Sequence, residues 1–191
     1  NLLYPSSVSA WGMDVYHIET WGDWKNTYEN YQMLLAIMES EGIDMVNRLW
    51  RESFSSEYPL QAYKRLAGYN QAQFNDSLFQ YARRMATCDF NYNNIGTYFR
   101  QYRNADLVSH LPSVQATYSI LKKIPDADNR YEIPIEQAPE EFAYNVIPLY
   151  PESDSCAVII KFKGHTEANP HAGWRYGFVA AYPNGTVSRY S

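Results

Sequence analysis

Between Asn26 and Phe90, helix starts and stops follow one another so closely that only a layer of short helices fits the spacing. Asn26 stands at an N-cap position with Glu29 three residues on, a pairing in which side chains satisfy the first orphan N–H groups of a helix. Gly42 supplies the left-handed residue that ends such a helix. Tyr28, Tyr31, Leu35 and Met38 fall on one stripe between these signals. Ile43, Val46, Leu49 and Trp50 resume the helical spacing, and a polar break follows from Ser53 to Ser56. Pro59 then opens a third helix and Gly68 closes it. Asn70 with Gln73 completes a capping box for a fourth, in which Phe74, Leu78, Tyr81, Ala82 and Met85 line one side and Arg83 and Arg84 are expected to face away. The pattern predicts an antiparallel helical layer and, lacking sustained heptads, no coiled coil.

Beyond Phe90 the periodicity changes. The stretch from Asn91 to Asp128 mixes helix-compatible Tyr98, Tyr102 and Leu107 with an Asn-rich lead-in and Pro112, and reads as a connector. After it, Phe142, Tyr144 and Val146 alternate with small or polar residues. Val158, Ile160 and Phe162 do the same, as do Trp174, Tyr176, Phe178 and Ala180, so each set predicts a strand with one apolar face. Asn184-Gly185 is a tight-hairpin signal close to the last residue, which leaves a short returning strand. The expected fold class is α+β: an N-terminal antiparallel helical layer over residues 1–90, a connector over 91–130, and an antiparallel β-sandwich-like module over 131–191.

At 191 residues and 46% hydrophobic, the chain can bury one sizeable core or two small ones. A net charge of −5 without a dense basic run argues against a nucleic-acid or anionic-membrane partner, since both require a concentrated positive face. No apolar run approaches the roughly 20 residues that span a bilayer. The start lacks both Met and a basic-then-apolar leader, and is read as that of a processed or cut product. The 18 Tyr and 5 Trp exceed what a small core needs, a composition suited to extracellular glycan or protein contacts. The expected location is therefore secreted or cell-surface. Cys88 and Cys156 would staple the two halves if bridged, but their spacing carries no disulfide framework, and two buried thiols are the simpler reading.

No nucleophile elbow, P-loop, dinucleotide fingerprint, HExxH helix or paired CxxC occurs. His165-Thr166-Glu167 spells H-x-E without the later P-C-x-x-C that completes a deaminase zinc site. With His171, these residues read as a solvated loop. Asp126, Asp128 and Asn129 imitate the start of a calcium loop, but Arg130 and Tyr131 replace its third oxygen ligand and its turn glycine. Glu140 and Glu141 are adjacent rather than opposed across a cleft, as glycosidase chemistry would require. The densest constellation is Trp11, Asp14, Tyr16, His17, Glu19, Trp21, Asp23 and Trp24. Flat rings interleaved with ionisable groups suit a cleft wall, and Trp11, His17, Trp21 and Trp24 are its binding candidates. The plainer alternative has the three Trp rings capping the helical core and His17 as a hydrogen-bonded scaffold residue. Trp174-Arg175-Tyr176 invites a sugar-stacking reading, although Trp174 shares a strand face with Phe178.

The runs Gly42-Ile43-Asp44-Met45-Val46-Asn47-Arg48-Leu49-Trp50-Arg51-Glu52, Pro59-Leu60-Gln61-Ala62-Tyr63-Lys64-Arg65-Leu66 and Tyr81-Ala82-Arg83-Arg84-Met85 resemble a secreted family of uncharacterised bacterial and fungal proteins. Tyr144-Asn145-Val146-Ile147-Pro148-Leu149 and Ala172-Gly173-Trp174-Arg175-Tyr176-Gly177-Phe178 resemble that family's C-terminal module. The resemblance implies the latter part of a zincin-like, metallopeptidase-related domain followed by a β-rich module. Its metal-binding helix, and any zinc, would belong to a longer parent. No metal ligand or general base carries over to a residue of this sequence, so the chain alone is expected to be inactive. The competing expectation is a non-catalytic module that holds an extracellular glycan or protein through aromatic residues.

Overall fold

The computed structural model describes residues 31–98, 119, 121–135, 138–139, 142–149, 153, 157–167 and 170–180. Helix α1 spans Tyr31–Glu41, α2 Ile43–Glu52, α3 Pro59–Leu66 and α4 Gln71–Thr87, and a 3-10 turn follows at Tyr92–Asn94. The ends marked by Gly42, Pro59, Gly68 and Asn70 fall where the punctuation predicts, while Asn26 and Glu29 lie outside the described residues. Gly42 takes φ 91°, closed by its N–H on Met38 C=O at 3.0 Å, and serves as both the end of α1 and the cap of α2. Gly68, at φ 69°, closes α3 with paired bonds from Gly68 N–H to Arg65 C=O and Tyr69 N–H to Lys64 C=O, each 3.0 Å. The box opening α4 is complete: Asn70 Oδ1 accepts from Gln73 N–H, and Gln73 Oε1 accepts from Asn70 N–H, both at 2.9 Å. At the other end Cys88, a non-glycine residue at φ 54°, takes the left-handed position.

The core gathers Met33, Leu35, Ala36 and Ile37 of α1, Met45 of α2, Leu60 and Tyr63 of α3, and Phe74, Leu78, Tyr81 and Met85 of α4, closed by Cys88 and Phe90. Two helix faces differ from expectation. Helix α1 buries most of its circumference rather than one stripe, and α2 turns Met45 inward while Ile43 and Trp50 stay exposed. Arg84 does not face away. Its guanidinium pairs with Glu39, donates to Asp89 C=O at 2.9 Å, and lies 4.7 Å from the Phe90 ring. That carboxylate also accepts the N–H groups of Asn91 and Tyr92 at 2.9 and 2.8 Å, fastening the chain after α4 back onto α1.

The expected β-sandwich does not form among the described residues, and the hairpin signal at Asn184-Gly185 lies outside them. Among the described residues strand pairing is confined to β1 (Lys122–Lys123) and β2 (Tyr131–Glu132), an antiparallel ribbon in the stretch read as connector. Its turn uses left-handed Asp126 and Asn129, the residues that imitate a calcium loop. Alternation describes any extended backbone, whereas a sandwich also requires ladder bonds and a second sheet over the apolar face. Phe142 opens its predicted strand at φ 63°, which breaks the extended path, and Pro148 cannot donate to a ladder. Phe142 and Tyr144 instead pack onto the helices, edge-on to Phe74 at 5.6 Å and Tyr81 at 6.2 Å. Ser119 donates its N–H to Val146 C=O at 2.8 Å and accepts from Asn145 Nδ2 at 2.7 Å. Segments 157–167 and 171–180 meet through rings, with Phe162 6.1 Å from Trp174 and 6.0 Å from Tyr176. Val158, Ile160 and Phe178 of those segments are exposed.

Candidate functional site

A cleft of about 350 Å³ opens between α1, α3 and the Gln73–Arg84 stretch of α4. Its apolar floor is Met33, Ala36 and Ile37 of α1 with Tyr81 of α4, and its polar wall carries Glu41, Tyr63, Tyr69 and Ser77. The wall joins two helix ends to side chains from within α3 and α4. Glu41 is the last residue of α1, Tyr69 follows the left-handed Gly68 that ends α3, and Ser77 rises from α4 one turn above the buried Phe74. The Gly68 closure reverses the chain so that the Tyr69 ring returns beside Tyr63, edge-on at 5.7 Å.

These groups form one hydrogen-bond network. The hydroxyl of Tyr69 donates to Glu41 Oε1, and the hydroxyl of Tyr63 donates to the same oxygen at 3.3 Å. Since the Tyr63 hydroxyl has a single proton, Ser77 Oγ–H at 2.9 Å donates to it. Burial, and next the hydrogen bond to Glu41, push the Tyr69 phenol well above its ordinary value. Burial raises Tyr63 as well, against the opposing pull of Ser77. Both phenols therefore stay protonated at neutral pH and present their protons to the carboxylate. Glu41 Oε2 projects from an exposed residue and has no Lys or Arg partner among the described residues, whereas Glu39, Glu52, Glu57, Glu132 and Asp76 each have one.

On the α4 side of the cleft, Asp76 receives the guanidinium of Arg175, which also reaches Ala72 C=O at 3.5 Å. At the far end Arg84 is neutralised by Glu39. The cleft thus combines three tyrosine rings, two carboxylates, and the amides of Gln73 and Gln80. It has the groups to hold a ligand.

Residues 6–191 match a family described as a family of unknown function (DUF6055). The chain belongs to this family. No curated protein and no solved structure matches the chain. The DUF6055 match runs through both halves, so the cleft residues and Arg175 lie within the shared sequence.

The binding candidates Trp11, His17, Trp21 and Trp24 lie outside the described residues of this DUF6055 chain, as does Cys156. Trp174 packs against Phe162 and against Gly164, where a Cβ would come within 2.3 Å of the indole. His165 Nδ1 lies 3.5 Å from Glu167 Oε2, both strongly exposed, and among the described residues no three His, Cys, Asp or Glu gather as a metal would need. The described residues therefore do not fit a zinc site. No helix among them is long and apolar enough to cross a membrane.

The wall residues escape motif scanning because they come from three different helices and the turn after α3. A signal was nevertheless present in Glu39-Ser40-Glu41-Gly42. Two carboxylates in the last turn of a helix, with no basic residue beside them, oppose the negative end of the macrodipole by about 0.3–1 kcal/mol each. Such acids call for partners elsewhere, here Arg84 for Glu39 and the two phenols for Glu41.

Proposed function

We propose that this chain is a secreted or cell-surface, non-catalytic module whose α1–α3–α4 cleft holds a segment of an extracellular protein. The observation that carries the reading is Glu41, fixed by two tyrosine hydroxyls on a cleft wall with one oxygen still available. A carboxylate oriented in advance costs a partner little ordering on binding, and rigid tyrosine rings supply contact area at low entropic cost. Gln73 and Gln80 face the same space with donors and acceptors suited to a peptide backbone. A photo-crosslinker at Gln80 provides the test. Cross-linking to a secreted protein of the producing cells, lost on Tyr69→Ala, supports the reading. A glycan-array hit lost by the same substitution, with no protein cross-link, replaces it with a glycan ligand.

A second reading, the trailing part of a zincin-like metallopeptidase, draws on the resemblance of segments 42–52, 59–66, 81–85 and 172–178 to such a family. Its test is a longer protein from the same coding frame. Stoichiometric zinc and cleavage of a protein substrate support it, and a metal-free, inactive product removes it.

A further inference from the structure

We infer that the cleft recognises a basic side chain of its partner, an arginine guanidinium, between Glu41 and the tyrosine rings. The inference rests on the protein-binding reading above and names the chemistry that the segment must present. Three observations lead to it. Glu41 is the cleft carboxylate without a cation among the described residues, and its Oε1 is already held by Tyr63 and Tyr69, so Oε2 is presented in a fixed orientation. The half-buried ring of Tyr69, backed by the buried Tyr63, offers a π surface beside Glu41 to a flat cation, which is more weakly hydrated than an ammonium. The chain itself supplies the third: the guanidinium of Arg175 sits on Asp76 and reaches the Ala72 carbonyl, so a carboxylate on this cleft already takes such a group. The cleft's own cation, Arg84, is neutralised by Glu39 and does not oppose an incoming positive charge.

Binding of acetyl-Gly-Arg-Gly-amide and acetyl-Gly-Gln-Gly-amide to the full chain, followed by calorimetry and by NMR shifts of Glu41 and Tyr69, tests the inference. The arginine peptide is expected to bind about tenfold tighter than the glutamine peptide, with an affinity that falls as salt is raised. Glu41→Gln is expected to remove that preference. Equal binding of the two peptides, or an arginine preference that survives Glu41→Gln, overturns the inference and leaves a protein-binding cleft of other specificity. NMR shifts on the wild-type chain confined to residues away from Glu41 and Tyr69 overturn it independently of how the variant folds. The underlying reading fails separately, if the Gln80 cross-link to a protein is absent or is indifferent to Tyr69→Ala.

Discussion

Single side chains in this molecule do work that their sequence neighbourhood does not announce. Gly96 is an example, because a Cβ there would lie 2.3 Å from Phe90 O and 2.4 Å from Cys88 O, backbone atoms that cannot swing aside. Gly96→Ala is expected to cost about 2 kcal/mol in chemical denaturation by forcing the chain after α4 away from the helix end. Glu39 acts on the same junction, and Glu39→Ala is expected to cost about 2 kcal/mol, since it strands Arg84 and leaves two N–H groups without their acceptor. Glu57 reports through pH. Its two oxygens take the Arg65 guanidinium at 2.7 Å each, and that hydrogen bonding holds its carboxyl below the ordinary range. A depressed carboxyl stabilises the fold above its unfolded pKa of about 4.3, and the contribution disappears as pH falls through the lower folded value. Thermal melts of the wild type and Glu57→Gln should therefore differ near neutrality and converge in acid.

At the level of elements, the helices were legible because their ends are written in local chemistry. Gly42 and Gly68 take the positive φ that such stops demand, and the Asn70–Gln73 box closes in both directions. Asn70→Ala should cost about 1 kcal/mol, and adding Gln73→Ala should cost less than the sum of the single changes, because the two side chains serve one helix start. Facing was less legible than position. Spacing puts Arg84 off the apolar stripe of α4, but Glu39, distant in sequence, draws it inward, and no periodicity in α4 contains that information. The cleft was illegible for a related reason. Glu41, Tyr63, Tyr69 and Ser77 meet only after α1, α3 and α4 pack together, and the candidates that composition picks out, Trp11 to Trp24, lie in another part of the chain.

For the molecule as a whole, the question is what the second half contributes to the first. Alternating residues near 142, 158 and 174 could not reveal which faces find a cover, since the same alternation serves a sandwich strand and an arm laid over helices. The two arrangements make opposite predictions. In a sandwich, Tyr176 would be enclosed on its strand's apolar face, and truncating it would cost several kcal/mol. Here it is 74% exposed, so Tyr176→Ala should change stability by no more than about 0.5 kcal/mol. Phe142 is the contrasting case, because its ring meets Phe74 at the centre of the helical core. Phe142→Ala should cost about 2 kcal/mol, less than a fully buried Phe, and should appear as a lower melting temperature of the helical signal itself. A large loss at Tyr176 would mean instead that its face is covered. Loss at Phe142 alone would mean that the helical layer depends on the segment that lays Phe142 and Tyr144 against Phe74 and Tyr81, two residues of the helix that lines the cleft.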